Sequence, residues 1–164
     1  MALASYSPED VVCLIGGVIP ISGFVDGTFI SIRKASQTYE TVVTADGRIS
    51  RTQVENPLYT VNLTLSSVAQ DNEILTALSF LDRKTSRGKV PLLIKDHMGT
   101  SMFYASLAWL EGVPEVSYGT DVNSRDWVFS CIGVTEVVGG NTRTDGVPDI
   151  LSALGSEAIT AITG

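Results

Sequence analysis

Asp96 and His97 form the one place in this sequence where an acid–base pair could act, since His97 is the only histidine. A carboxylate beside an imidazole can hold the ring in the orientation that a general base needs. Neighbouring residues of a strand or turn point apart, however, and no Gly-x-Ser-x-Gly elbow supplies a nucleophile. A Cys–His dyad with Cys13 or Cys131 stays open, although both cysteines lie in apolar runs typical of a core. We expect a solvated turn histidine, buried free thiols and no enzyme.

Metal and phosphate sites have no clear signature either. No paired Cys or His has the spacing of a zinc site. The segment Asp121–Asp126 begins like a calcium loop, but Asp126 stands where the sharp turn needs glycine, and Ile132 stands where the bidentate glutamate belongs. Neither a Walker sequence nor a Gly-x-Gly-x-x-Gly loop is present. We therefore expect no metal and no cofactor, and we interpret Asp121–Asp126 as a polar connection between strands.

The composition indicates one folded domain that assembles. The chain has 164 residues, of which 44% are hydrophobic and only 18% charged, so disorder is excluded. No uncharged stretch reaches the ~20 residues of a membrane helix, and the N-terminus lacks the pattern of a signal peptide. The net charge of −7 disfavours a protein that grips duplex DNA through its phosphates. The surplus of apolar over charged residues suggests that other subunits cover part of the surface.

Short apolar or alternating runs separated by Gly, Asp and Asn predict a β protein. The Asp46-Gly47 pair is the strongest hairpin signal, and it favours a type I′ turn. Gly133 is expected to mark a bend or bulge. The predicted strands are Asp10–Ile15, Ile19–Phe24, Thr28–Arg33, Tyr39–Thr44, Arg48–Val54, Leu58–Leu65, Val90–Lys95, Thr100–Trp109, Pro114–Tyr118 and Arg125–Val138.

One segment, Gln70–Asp82, has apolar residues at helical spacing. Asp71 is the expected N-cap, and Glu73 lies where the helix dipole favours a carboxylate. The sequence therefore predicts a mainly β fold: an antiparallel β sandwich or barrel over 1–139 with one packed α-helix. Residues 140–164 are small and weakly amphipathic, and we interpret them as a C-terminal arm.

A basic cluster follows the helix and consists of Arg83, Lys84, Arg87 and Lys89. The simplest interpretation is a solvated loop and helix end, where basic side chains complement the dipole. The alternative is contact with an acidic surface of an adjoining subunit, because residues 101–164 carry eight acids and two bases. Two tryptophans on predicted strands, Trp109 and Trp127, are expected to be core or interface anchors.

An ordered set of short stretches resembles the tail tube proteins of contractile-tailed bacteriophages. The set covers roughly residues 5–138, whereas the segment after Gly140 extends beyond it. The stretches are Tyr6–Val12 running into Gly16-Gly17, Pro20–Ile32, Ala45–Arg51, Pro91–Asp96 leading to Gly99-Thr100, and Arg125–Val128.

The resemblance implies a structural protein of the virion tail, assembled in the host cytoplasm, and a tail-tube-like fold. Subunits of such tubes form hexameric rings whose strands join into one barrel, and the rings stack inside the contractile sheath. The implied partners are further copies of the chain, the sheath protein, the tape measure protein, and the baseplate and tail terminator proteins. Double-stranded DNA would pass through without specific binding, for which an acidic or neutral lining is physically sensible.

The channel-lining residues suggested by this interpretation are Glu40, Asp46 and Glu55, around the predicted hairpin. An outward, solvated position for these carboxylates is equally open. The basic cluster and the arm are expected at ring-to-ring contacts. Two alternatives remain: the tube subunit of a contractile bacteriocin or a type VI-like injection machine, and a small ligand-binding or enzymatic β-barrel that uses His97 and Asp96.

Overall fold

A computed structural model describes residues 6–140. The predicted arm therefore lies outside the described residues, apart from Gly140. The described chain contains a 3₁₀ turn, one α-helix and nine strands in this order: Pro8–Asp10, β1 (Val11–Ile15), β2 (Ile19–Ile21), β3 (Ile30–Lys34), β4 (Tyr39–Val43), β5 (Ile49–Gln53), β6 (Tyr59–Ser66), α1 (Asp71–Thr85), β7 (Val90–Asp96), β8 (Met102–Leu110) and β9 (Ser124–Val137).

Seven strands form one antiparallel sheet in the order β2-β1-β7-β8-β9-β6-β3, and β4 pairs only with β5. Side chains alternate across a strand, so Val61, Leu63 and Leu65 of β6 are buried together as the sequence pattern predicts. The buried core spans β1, β6, β7, β8 and β9 and includes Trp127. The predicted fold class is confirmed as mainly antiparallel β with a single helix in the described chain, but the sheet is not closed into a barrel.

The two edges of the sheet approach each other at one end. Beyond β2 the chain turns at Gly23, and Phe24 forms an isolated bridge with Leu65 of β6. Two backbone hydrogen bonds flank that bridge, from Ser66 N to Gly23 O (2.8 Å) and from Val25 N to Thr64 O (3.3 Å). The predicted strand Ile19–Phe24 is therefore split, because its first part pairs with β1 and its last residue forms a bridge with β6, the strand next to the opposite edge.

The helix packs on the sheet through Leu75, which is fully buried, and through a polar link. The Asn72 Oδ1 atom accepts a hydrogen bond from the Trp127 indole at 2.9 Å, so the largest core side chain also orients the helix. The predicted N-cap is wrong: Asp71 is the first helical residue, and its carboxylate accepts bonds from the backbone N–H and hydroxyl of Ser22 (2.5 and 2.9 Å). Asp71 thus ties the helix to the end of β2 rather than capping its own turn.

Two glycine positions, Gly47 and Gly133, refine the sequence predictions. The hairpin at Asp46-Gly47 is present, but only Gly47 has a positive φ, 81°. Gly47 N donates to Thr44 O and Thr44 N donates to Arg48 O, both at 2.9 Å, which is the pattern of a three-residue loop rather than a type I′ turn. Gly133 has φ 64°, and a Cβ there would collide with the hydroxyl of Ser106 on β8, but the register of β8 and β9 is the same on both sides of this position, so the glycine marks a local backbone distortion and not a bulge.

Pro114–Tyr118 is not a strand. This segment belongs to the connection between β8 and β9, which lies outside both sheets. Pro114 has no N–H to give to a ladder, and the Tyr118 side chain is almost fully exposed. The connection is instead held by Asn123. Its side-chain amide donates to Ser117 O (3.2 Å), and its backbone carbonyl accepts from Ser67 N (2.8 Å).

Candidate assembly surfaces

The hairpin β4–β5 is the most exposed element of the described chain. All ten residues of the two strands are exposed, because neither face rests on the main sheet or the helix. The register places Tyr39, Val43, Ile49 and Arg51 on the same face, with the three apolar side chains 43%, 64% and 73% exposed. The Arg51 guanidinium lies 4.2 Å above the Tyr39 ring, a cation–π contact that covers only part of that ring. This face has the composition of a protein contact surface rather than of a solvated ribbon.

The three suggested channel residues are all exposed and belong to the hairpin or its flank. Glu40 is on the hairpin face opposite Tyr39, and Glu55 follows β5. Asp46 lies in the turn, where the Thr44 hydroxyl donates to its carboxylate and Arg48 Nε is 3.3 Å from its Oδ2. The Thr44 hydrogen bond, together with backbone N–H groups of the turn, lowers the pKa of Asp46. Asp46 therefore organises the turn, which is a local role that its sequence position alone does not reveal.

The helix exposes three large apolar side chains. Ile74, Phe80 and Leu81 remain 37–48% exposed. The Arg83 guanidinium lies 5.3 Å and the Lys84 ammonium 4.7 Å from the centre of the Phe80 ring. All four residues of the basic cluster are exposed, as expected for a helix end and the loop after it. The first two of them thus adjoin an apolar patch, which is a combination found at binding surfaces.

The sheet leaves two edge strands, β2 and β3, among the described residues. Edge strands carry unpaired backbone groups that can pair with another chain. β2 has only three residues and contains Pro20, which lacks a donor, so it is a poor template. β3 has five residues without proline and pairs on one side with β6. The edge of β3 is therefore the better position for adding a strand from another subunit.

Asp96 is the last residue of β7, and His97 lies in the turn that follows it. His97 is exposed, and its backbone N–H donates to Asp10 O at 2.9 Å. The Asp96 carboxylate accepts from Met98 N at 2.9 Å and so stabilises the turn. A cavity of about 380 Å³ nearby is lined by Asp96, Glu136 and mostly apolar side chains of β1, β3, β8 and β9, but not by His97. The histidine is thus outside the cavity that an enzymatic interpretation would use.

Residues that could bind a metal are not gathered in the described range. Among residues 6–140, no three His, Cys, Asp or Glu side chains form a group suited to an ion. The calcium-like segment is divided: Asp121 lies in the connection before β9, whereas Asp126 belongs to β9 and accepts from the Thr64 hydroxyl at 2.8 Å. In the same range no helix is long and apolar enough to cross a membrane.

Both cysteines are buried and unbridged, as the apolar runs around them predict. Burial raises the pKa of each thiol to about 12, and for Cys13 the nearby Cys131 adds to the shift. Thiols with such a pKa are poor nucleophiles, so neither has the character of a catalytic cysteine. Cys13 on β1 and Cys131 on β9 both belong to the hydrophobic core.

The described chain contains one buried charged residue, Arg125, which the sequence analysis does not predict. Arg125 is 9% exposed and lies on the same face of β9 as Trp127 and Phe129. The signal was available, since Arg125 stands two residues before Trp127 and alternation places both on the buried face. A charged residue at such a position was not recognised as part of the core.

Comparison with known proteins finds a likeness in sequence and a likeness in fold. No protein-family model matches the chain. The chain is 28% identical over 160 residues to "Structural protein ORF10" of Pseudomonas phage KPP10, covering 93% of this chain and 92% of that protein. It also matches the cryo-EM structure of the anti-feeding prophage cap, a tube terminating cap, with a TM-score of 0.53 and 10% identity over 84% of this chain and 94% of that one. The first likeness spans almost the whole of both proteins, and the second is one of fold.

Proposed function

We propose that this protein is a structural subunit of a phage tail, and specifically that it forms the tail tube. Six copies would form a ring, and rings would stack into the conduit for the tape measure protein and the genome inside a contractile sheath. The likeness to a phage structural protein over nearly the full chain supports a virion structural role. The more specific assignment to a ring and a tube is supported by the sequence resemblance and by the exposed surfaces of the β4–β5 hairpin and the β3 edge.

The observation that carries the proposal is the hairpin β4–β5. A two-stranded hairpin is at best marginally stable in water, and this one contributes no residue to the core. Its apolar face and the free edge of β3 would both be covered if neighbouring copies completed the sheet. Closure by identical copies also removes exposed strand edges, as full barrels do.

The charge of the chain fits a conduit rather than a DNA-binding protein. With a net charge of −7, an assembled lining would repel phosphates instead of holding them. We propose Glu40, Asp46 and Glu55 as contributors to that lining, and Arg83, Lys84, Arg87 and Lys89 as contacts between rings. The sheath, tape measure, baseplate and terminator proteins would be its partners, and no catalytic step is part of the role.

A second function is favoured by the fold comparison. The matching structure is a tube terminating cap, so this chain is alternatively a ring that ends a tube rather than one that repeats along it. A tube subunit polymerises because both ring faces are complementary, whereas a cap stops growth at one face. The tube of a related injection machine, such as a contractile bacteriocin, follows the same ring logic as the phage tube.

Negative-stain imaging and light scattering of the purified full chain test these functions. A tube subunit gives six-fold rings that stack into hollow rods as concentration rises, and a cap gives single rings that do not stack. Monomers at high concentration would contradict both. Fluorescence anisotropy with labelled duplex DNA at low salt provides an independent test, because a conduit shows no tight binding, and strong salt-sensitive retention would contradict the proposal.

A further inference from the structure

The connection between β8 and β9 forms a small surface around a buried arginine. A cavity of about 380 Å³ opens there, and Arg125, Tyr118, Val68, Val122 and Asn123 are among its lining residues. The side chains around it are strongly exposed: Tyr118 91%, Val68 74% and Val122 67%. Connections of this length without regular structure are uncommon in compact domains and often serve binding.

Among residues 6–140, the partners of Arg125 are all neutral. Its Nη1 donates to Ser124 O (3.1 Å), its Nη2 donates to Ser117 O (3.3 Å), and the guanidinium lies 6.0 Å from the centre of the Tyr118 ring. Asp121 lines the same cavity but is exposed, and it forms no ion pair with Arg125. A guanidinium has five N–H donors, so the two hydrogen bonds leave donors available toward the cavity.

A buried charge without an opposite charge is costly, and proteins normally compensate it with a partner. Arg125 is nevertheless held in place by two backbone carbonyls, so its fork is already oriented before any partner arrives. An oriented guanidinium binds a carboxylate through two parallel hydrogen bonds. Tyrosine and arginine are also among the residue types that contribute most of the binding energy at protein interfaces. Here both are surrounded by apolar side chains.

We infer that this surface, which we call the Arg125 pocket, receives an Asp or Glu side chain of a second copy of the chain. The Tyr118 ring and the two valines would pack around the stem of that acidic side chain, and Arg125 would bind its carboxylate. Charge complementarity favours a second copy: the chain has 18 acids and 11 bases, and Arg125 is one of two bases among the last 64 residues. The inference rests on the proposed self-assembly and assigns one contact within it.

Tyr118→Ala is the first test, because Tyr118 is too exposed for its loss to unfold the protein. We expect the concentration for half-maximal assembly to rise about 10-fold or more, as for an interface hot spot, with an unchanged melting temperature. Tyr6→Ala, which removes another exposed tyrosine, is the matched control and should assemble like the wild type. Assembly of Tyr118→Ala at the wild-type concentration would overturn the inference and leave the proposed function intact, whereas a monomeric wild type would overturn both.

Arg125→Met tests the charge, since methionine keeps an unbranched apolar stem and removes the guanidinium. We expect a folded protein with weakened assembly. A folded variant that assembles normally would show that the guanidinium is not needed and would overturn the inference. A photo-crosslinking residue at position 118 then identifies the occupant. A crosslink to an acidic segment of another copy supports the inference; exclusive crosslinks within one copy or to a different tail protein overturn it.

Discussion

The β6–β9 pair and the β4–β5 pair are both antiparallel ladders, yet they differ completely in packing. β6 and β9 pair over eight residues and bury Leu63 and Trp127 directly opposite each other. β4 and β5 pair over five residues and bury nothing. Backbone hydrogen bonds contribute little net stability because water offers the same bonds to the unfolded chain. The core of the domain therefore stabilises the first ladder, whereas the second has no such packing within residues 6–140 and would be covered by another copy only under the proposed function.

Removing the largest side chain of the buried ladder should have the greatest effect. Trp127→Ala deletes a 1% exposed indole and its bond to Asn72, so we expect a loss of about 3–5 kcal/mol in the free energy of unfolding. Urea denaturation of the monomeric state measures the loss. Tyr39→Ala in the hairpin is the control and should cost less than about 0.5 kcal/mol. Equal losses of unfolding free energy in the two variants would contradict the difference in packing between the two ladders.

The exposed ladder should show the reverse behaviour, with an effect on assembly and not on folding. Val43→Ser combined with Ile49→Ser removes a cross-strand apolar pair that is more than half exposed. We expect the unfolding free energy to change by less than about 0.5 kcal/mol, while the concentration needed for ring formation rises about 10-fold or more. Glu40→Gln, on the other hairpin face, should leave ring formation unchanged. Normal assembly of the double variant would show that the hairpin is not part of the interface between copies.

The smallest effect should come from the turn of the hairpin. The pKa of Asp46 is lowered from its ordinary value of 3.8, so its contribution to the turn is present above that value and is lost as pH falls through the lowered folded-state pKa. Asp46→Asn should remove this pH dependence. An NMR titration of the Asp46 carboxyl, read together with the amide shifts of the hairpin, measures the transition. A midpoint at or above 3.8 would contradict the hydrogen-bonded turn.

Much of the fold could be predicted because its signals are local. The alternation in Leu58–Leu65 and Arg125–Val138 and the helical spacing in Gln70–Asp82 predicted two central strands and the helix, which the structure places at Tyr59–Ser66, Ser124–Val137 and Asp71–Thr85. The helix is longer than predicted, since Arg83–Thr85 continue it without apolar residues that would have signalled the extension. The predicted strand Pro114–Tyr118 contains β-type residues, but none of the strands within residues 6–140 pairs with it.

The functional surfaces were less predictable because they depend on which residues meet. The basic cluster and the exposed hairpin carboxylates could be located from sequence position. The Arg125 pocket could not, because it combines β9 with residues of two separate connections, Ser67–Val68 and Ser117–Asn123. Asp71 shows the same limit, since its partner Ser22 lies 49 residues away.

By itself, the sequence determined the fold class of the protein. Composition and local spacing supplied the signals: a high apolar content with few charges, period-two alternation, turn residues between strands and an acidic balance. Only the tertiary structure decided which strands share a sheet, that β4–β5 stands apart from the core, that the sheet stays open, and which segments surround the buried Arg125. The physical reason is that burial is a property of contacts between distant segments. A residue's type sets what burial would cost or contribute, and the fold decides whether that burial occurs.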